Sequence, residues 1–481
     1  MDKKCKTLLI HLPINLDNVH DYDNIIQPYG LSVISSFLKH NNQNVILLDA
    51  HAHHISRKNI IKYIIQENPD VIGLPIYTSQ VPQSVSFINE IKKTIPEILT
   101  VVGGPHPTAE HYSLLTQNPS IDIAVVGEGE YTMLEILDSI NKGRPYNFHD
   151  IKGITFRTNN QVIINPPRPF ISDLDSLPFA DWESFPMEKY WGANTEKNNF
   201  ANLVFSRGCP FSCTFCGAKE ALGKIHRRRS PANIIKEVRM LYEKFNVREL
   251  GLSDSTFNVN NRWVREICEE LIDFGRRDLV WQCNVRADRL DEETLKLMRK
   301  AGCSKVFVGV ESADINMLKS MKKGTDIHLL REGINLLDRL GFQVFCGFLI
   351  GMPGETVESI KKTLEFAREL RKHTCAFSLA TPFPGSEFYE ISKLEGYQVT
   401  DWTQHDTYGL TYVAQDLTKE QLIHYYNYAV KSNYLNPYFI YKQIRKLRSF
   451  TQLKVQARLG FRIIFGRRNR LNKNVTKKEN I

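Results

Sequence analysis

Twice along this chain, strand-length apolar runs alternate with amphipathic helical stretches, and that alternation restricts the fold more than any other feature. In the first 142 residues the strand runs fall at 7–12, 45–48, 71–75, 100–102 and 121–126, with helical patterns near 30–39, 59–66, 83–93, 108–115 and 131–140. Strands separated by helices pair in parallel through right-handed crossovers, because each helix must lie across the sheet face to reach the next strand. The expectation is a doubly wound, Rossmann-like α/β domain that binds ligands beyond the carboxyl ends of its strands. From 199 to 385 a second series follows, with strands at 202–206, 249–252, 280–285, 305–310, 343–349 and 376–380 and helical patterns at 232–244, 262–274, 292–300, 328–340 and 357–370. Six β/α units suit a partial (β/α)6 barrel, whose active residues belong at the strands' carboxyl ends.

Between the two series, 143–198 changes character. The runs 154–157 and 162–164 flank Asn159-Asn160 and read as a hairpin. Pro166-Pro167-Arg168-Pro169 follows, and Phe170, Leu174, Leu177, Phe179 and Trp182 give this connector apolar groups to pack. Residues 386–481 read as mainly helical, with a helix start at Leu417-Thr418-Lys419-Glu420. The chain thus divides into four parts, 1–142, 143–198, 199–385 and 386–481. No G-x-G-x-x-G follows the first strand, which argues against a dinucleotide site. Ser-His-Asp triads, Walker-type loops and zinc spacings are likewise not expected in the second series.

The chemistry is concentrated in Arg207-Gly208-Cys209-Pro210-Phe211-Ser212-Cys213-Thr214-Phe215-Cys216-Gly217, directly after the first strand of the second series. The spacing C-x3-C-x2-C offers three thiolates to an iron–sulfur cube that ordinarily takes four. A metal site left one ligand short is a site kept open for reaction. The other six cysteines, Cys5, Cys268, Cys283, Cys303, Cys346 and Cys375, are scattered and read as core residues. With no paired pattern among nine cysteines, no leader-like N-terminus and no long uncharged apolar run, the expected location is a reducing, cytoplasmic one. The net charge of +9 sits in the tail: residues 432–481 hold 13 Lys or Arg and one acid, Glu479. The remainder is slightly acidic, so a nucleic-acid footprint over the folded domains is not expected. From Pro437 to Phe465 apolar and basic residues interleave. Two readings stand for this stretch: an amphipathic helix making peripheral membrane contact, or a docked helix followed by a solvated basic end.

The cysteine loop resembles that of the radical S-adenosylmethionine (SAM) superfamily. The resemblance implies a 4Fe-4S cluster held by Cys209, Cys213 and Cys216, with SAM on the open iron, Phe215 and Gly217 beside it, and reductive cleavage to a 5′-deoxyadenosyl radical. Asp254, after the second strand, would accept from the SAM amine, or else cap the following helix. Arg286, with Arg289 as the alternative, would pair with the SAM carboxylate. Gly309-Val310-Glu311-Ser312 resembles the family's Gly-x-Glu-Ser, placing Glu311 and Ser312 on the ribose and methionine moieties. The glycines of Gly347–Gly354 either admit adenine or make a tight turn.

The first domain resembles the cobalamin-binding domain fused to many of these enzymes, through Thr78-Ser79, Val102-Gly103-Gly104-Pro105-His106 and Val126-Gly127-Glu128-Gly129-Glu130. Thr78, Ser79, Gly103, Gly104, Gly127 and Glu128 are the implied cobalamin contacts. Asp49-Ala50-His51 follows the second strand rather than the first, so His51 reads as a solvated loop histidine and cobalt is expected to lack a histidine ligand. The function implied is methylation of an unactivated carbon or phosphorus centre through methylcobalamin and a deoxyadenosyl radical. Oxidative cyclisation or ring rearrangement is the alternative; a non-catalytic cobalamin sensor fits the intact cysteine triad poorly. A small-molecule or lipid substrate and an electron donor such as flavodoxin or ferredoxin complete the expectation.

Overall fold

A computed structural model describes residues 4–19, 24–192, 195–197, 199–399, 401–437 and 440. The chain forms two compact units, one of 1–210 with 217–254 and one of 211–216 with 255–481.

The first unit opens as β1 (Lys6–His11), α1 (Tyr29–His40), β2 (Asn44–Asp49), α2 (Arg57–Glu67), β3 (Val71–Pro75), α3 (Val81–Thr94), β4 (Leu99–Gly103), α4 (Pro105–Gln117), β5 (Ile123–Val125) and α5 (Glu130–Asn141). These strands pair in parallel in the order β2-β1-β3-β4-β5. This is a doubly wound order, with its ligand edge at the strands' carboxyl ends. Leu8, Leu9, Ile10, Ile72, Val101 and Val102 are buried, as continuous apolar strands must be when helices cover both sheet faces.

The hairpin read as part of the connector proves to be sheet. Strands β6 (Ile154–Thr158) and β7 (Gln161–Ile164) extend the same sheet, β6 lying antiparallel to β5. Asn159 and Asn160 turn it with φ of 46° and 60°, the left-handed pair that a two-residue type I′ loop needs. Then come β8 (Phe200–Leu203), β9 (Ser206–Arg207), α6 (Ala218–Leu222), β10 (Arg227–Arg228), α7 (Pro231–Lys244) and β11 (Glu249–Leu252). β8 and β11 pair in parallel, whereas β9 and β10 form a two-residue antiparallel ribbon that periodicity could not show.

The second unit continues the alternation with α8 (Asn261–Phe274), β12 (Val280–Val285), α9 (Glu292–Lys300), β13 (Cys303–Glu311), α10 (Ile315–Ser320), α11 (Ile327–Arg339), β14 (Gln343–Ile350), α12 (Val357–Glu369) and β15 (Thr374–Leu379). Its four strands pair in sequence order, all parallel. Helix starts are chemically marked: Asn260, Asp291 and Asp326 cap α8, α9 and α11, and Thr356 forms a capping box with Ser359 on α12. After α13 (Glu387–Leu394) comes α14 (Lys419–Tyr434), whose capping box joins Thr418 and Gln421 at the expected helix start. α14 packs on α12 and β15. Residues 441–481, which carry most of the basic tail and its possible membrane contact, lie outside the described residues. Among the described residues no helix is long and apolar enough to cross a membrane.

Candidate active site

Of the nine cysteines, only Cys209, Cys213 and Cys216 are partly exposed; the other six are buried, and none is in a disulfide. Local hydrogen bonds fix the triad's loop. In the first unit Cys209 donates its N–H to Gly223 O at 3.1 Å, and Gly217 opens the short α6. In the second unit Thr214 donates to Met321 O at 2.9 Å and accepts from Phe388 N–H at 2.8 Å, and Cys216 N–H bonds back to Cys213 O at 3.2 Å. Among the described residues no three Cys, His, Asp or Glu side chains converge on a single ion.

In the second unit the strand ends supply polar groups around this loop. β13 breaks register between Gly309 and Glu311, and Glu311 adopts φ 65°, which turns its carboxylate off the regular strand path. Lys323 Nζ donates to Glu311 Oε1 at 2.8 Å and lies 6.0 Å from the centroid of the Phe215 ring. A Cβ at residue 309 would overlap Glu311 Oε1 and come within 2.9 Å of Lys323 Nζ, so glycine there makes room for the pair. Burial raises the Cys213 thiol, while the Lys323 charge pulls the other way. Lys323 was not singled out from the sequence: one of two adjacent lysines before Gly324 gives no sign that it is the buried one.

Three residues expected to face SAM are spent on protein partners. Arg286 donates to Asp288 through Nε and Nη2 at 3.1 and 2.7 Å, to Lys323 O at 2.8 Å and to Thr325 Oγ1 at 2.6 Å. Its guanidinium also lies 4.1 Å from the centroid of the Phe211 ring, with that of Arg289 at 5.1 Å. Ser312 Oγ meets Thr363 Oγ1 at 3.0 Å and accepts from Asp314 N–H at 3.1 Å. Asp254, in the first unit, accepts from Phe205 N–H at 3.0 Å and from Ser206 Oγ, and burial pushes its carboxyl up to about 6. It supports the segment leading to Cys209 and is not a helix cap, since Asn260 caps α8. The carboxylate of Glu355 binds the N–H groups of Gly351 and Met352, which favours the tight-turn reading of that glycine segment.

At the ligand edge of the first sheet, Thr78 and Ser79 open a single 3-10 turn after β3. Gly104 has φ 95° and ψ −170°, a conformation open essentially to glycine alone. Its turn is stitched to β3 by Ile76 N–H to Gly103 O at 2.8 Å. Thr108 Oγ1 donates to Gly104 O at 2.8 Å and accepts from Gly127 N–H at 3.1 Å, locking the two glycine turns together. A Cβ at Gly103 would meet only Val125 Cβ, at 3.7 Å, and one at Gly127 would meet nothing within 4 Å. Gly127 therefore borders open space, whereas Gly103 has room only for an ordinary contact with Val125.

Glu128 departs from expectation. Its carboxylate is taken up by Arg227, Arg207 and the Ile171 N–H, so it serves that edge through its turn and not as a free acid. His51 is buried, not solvated: it packs edge-on to His11 at 5.6 Å, and burial drives it down to about 4, so it is neutral. The turn after β2 folds inward because Asp49 binds His11 Nδ1 at 2.9 Å, Tyr190 Oη at 2.7 Å and Ala52 N–H at 3.0 Å.

Residues 203–367 match the radical SAM superfamily, and residues 16–137 match the B12 binding domain. An uncharacterized methyltransferase of Pyrococcus horikoshii is 29% identical over 418 residues, covering 87% of this chain and 90% of its own length. The anaerobic magnesium-protoporphyrin IX monomethyl ester cyclase of Rubrivivax gelatinosus is 30% identical over 370 residues, covering 76% of this chain and 66% of its own. Among solved structures, the cobalamin-dependent SAM radical enzyme OxsB, bound to aqua-cobalamin and SAM, superposes with a TM-score of 0.75 at 17% identity, covering 97% of this chain and 72% of that one. Cobalamin, a 4Fe-4S cluster and SAM are thus the cofactors; the three partly exposed thiols are of the type and spacing a cluster requires, and the Gly127 turn leaves open space. The chain belongs to the radical SAM enzymes that carry a B12-binding domain ahead of the radical SAM domain.

Proposed function

We propose that the protein methylates an unactivated carbon, or a phosphorus centre, of a small molecule. When bound, the cluster and SAM supply a carbon-centred radical and cobalamin supplies methyl-transfer chemistry. The chain's own residues bind, orient and exclude water. Cys209, Cys213 and Cys216 would hold three irons and leave the fourth to SAM. Phe215 gives an aromatic face beside the loop. Glu311 and Lys323 offer one negative and one positive group, which suits a ligand whose amino acid end carries both charges. Thr78, Ser79, Gly103, Gly104 and Gly127 would line the cobalamin edge. In this reading, 1–142 serves cobalamin, 143–198 connects, 199–385 carries out the radical chemistry, and 386–481 supplies a mainly helical cover. Electrons would come from a flavodoxin- or ferredoxin-type donor.

The observation that carries the reading is the triad itself: the only partly exposed cysteines, spaced for an open cluster, in a chain that aligns over nearly its full length with a protein named as a methyltransferase. Cyclisation is the second reading, favoured by the relative named as a cyclase. An anaerobic assay separates them. Protein reconstituted with iron, sulfide and cobalamin is given reductant and SAM without substrate, and S-adenosylhomocysteine is measured against 5′-deoxyadenosine. A burst of about one equivalent of S-adenosylhomocysteine per cobalamin is expected. Deoxyadenosine with no S-adenosylhomocysteine would transfer the assignment to the cyclase reading.

A further inference from the structure

Four charged side chains in the first unit form one closed network. Arg207 donates to Glu128 Oε1 at 3.0 Å and to Glu130 Oε1 at 2.7 Å. Arg227 donates to Glu128 through contacts of 2.8 and 2.9 Å. All four are nearly buried, with side-chain exposures of 11% for Arg207, 7% for Arg227, 5% for Glu128 and 4% for Glu130. Burial alone would lower the Arg207 guanidinium, but Glu130 and Glu128 outweigh it and hold it charged. The network is neutral overall. A buried neutral set of this kind stabilises little against an apolar replacement of the same shape, whereas its fixed forks define relative position closely.

Its place in the chain shows what is positioned. Glu128 lies in the turn after β5 and Glu130 opens α5 directly behind it, on the ligand edge of the B12-binding domain, next to the open Gly127. Arg207 and Arg227 face each other across the ribbon of β9 and β10. Arg207 is separated from Cys209 only by Gly208, whose φ is 88° and where a Cβ would overlap the Ile225 carbonyl. Arg227 also donates to Leu222 O at 2.7 Å, at the end of the helix that leaves the cysteine loop. The connector closes over the same groups: Ile171 N–H donates to Glu128 Oε2 and Ile171 O accepts from Arg227, both at 2.7 Å, and the Phe170 ring lies under Arg227 at 4.9 Å. Thus both arginines of the ribbon that presents the first cluster ligand are bolted to one turn of the cobalamin edge.

We propose that Arg207 and Arg227, with Glu128 and Glu130, are positioning residues that register the Cys209 ribbon on the Gly127–Glu130 turn, so that loading of the cluster and loading of cobalamin bias each other. The proposal holds whether the enzyme methylates or cyclises. Linkage is reciprocal, so it can be read from cobalamin binding alone. The full chain, before and after cluster reconstitution, is titrated with hydroxocobalamin, and the reduced cluster's EPR spectrum with SAM is recorded with and without cobalamin. In the wild-type protein the cluster is expected to tighten cobalamin binding by at least about fivefold, the lower end of typical coupling, and cobalamin is expected to shift the cluster spectrum. Arg207→Gln and Glu128→Gln should still take up iron and cobalamin but bring the affinity ratio to near one and abolish the spectral shift, while Arg207→Lys restores part of the ratio. Should Arg207→Gln fail to load a cluster, Glu130→Gln, which leaves the Glu128–Arg227 pair intact, decides by the same ratio. Equal cobalamin affinity of the loaded and unloaded wild-type protein, or a ratio unchanged in the variants, overturns the proposal.

Discussion

Asp254 sits fully buried behind the segment that leads to Cys209, and its protonation carries a worked consequence for stability. Burial raises its carboxyl from an ordinary 3.8 to about 6, against the opposing bonds from Ser206 and Phe205 N–H. Because the folded value lies above the unfolded one, the folded state holds this proton more tightly. The associated stability is present in full below about pH 4 and is lost as pH rises to about 6 and beyond. That rise corresponds to about 3 kcal/mol of differential stability between a pH well below 3.8 and one well above 6. Asp254→Asn removes the titration but keeps an acceptor for Phe205 N–H and polar groups for Ser206. Relative to wild type, the variant should therefore gain about 2.5 kcal/mol between pH 4 and pH 7, whatever its absolute cost at low pH. Denaturant unfolding of both proteins in parallel across that range, followed by a probe of the first unit, gives the difference. A difference that does not vary with pH would refute the account, because it would mean that Asp254 titrates normally and that its burial costs nothing.

Two further outcomes follow from the second unit. Gly309→Ala should displace the Glu311–Lys323 pair, since its Cβ would overlap Glu311 Oε1. If the pair holds the charged end of SAM, losing one charge-assisted bond of about 1.5–3 kcal/mol weakens SAM binding by roughly ten- to a hundredfold; equilibrium dialysis showing unchanged affinity would remove the pair from the site. Cys213→Ala should end deoxyadenosine formation while cobalamin is retained, at an affinity reduced only by the linkage ratio. Complete loss of cobalamin on gel filtration would mean that the B12-binding domain cannot hold its ligand without the cluster.

Element positions were legible because their causes are local. Thr418 and Gln421 announce α14 as a capping box, and Asn159-Asn160 announces the hairpin turn, since each signal resides in a few neighbouring residues. The hairpin's membership of the first sheet was not legible, because pairing with β5 depends on a partner about thirty residues away that has no marker of its own. The site divides in the same way. Cysteine spacing and the glycines at strand ends could be read directly, because a cube and a left-handed turn demand particular residue types. The commitment of a charged side chain could not. Arg286, Ser312, Asp254 and Glu128 all stand at strand ends where a ligand group is expected, yet each is bound to a protein partner distant in sequence. Lys323 and Arg207 acquire their importance from Glu311 and from Glu128, and only the fold makes those pairs neighbours.

In the proposed reading, burial helps to sort one residue type, cysteine, into two uses. Burial pushes Cys5 up to about 11 and raises Cys268 well above its ordinary value, and the hydrogen bond with Cys375 together with burial raises Cys346, so these thiols hold their protons at neutral pH. Iron binds the thiolate, and each ligation must release a proton. A core thiol would have to lose that proton in a dry site and also open a path to the metal, whereas the three loop thiols are already reached by solvent. Burial also raises Cys213, but Lys323 opposes the rise, and a bound iron would oppose it far more strongly. In the proposed reading, accessibility directs the cluster to Cys209, Cys213 and Cys216, the partly exposed thiols, even though six other sulfurs are present in the same chain. The partial exposure of these three thiols is also what the proposed open iron would need in order to meet SAM.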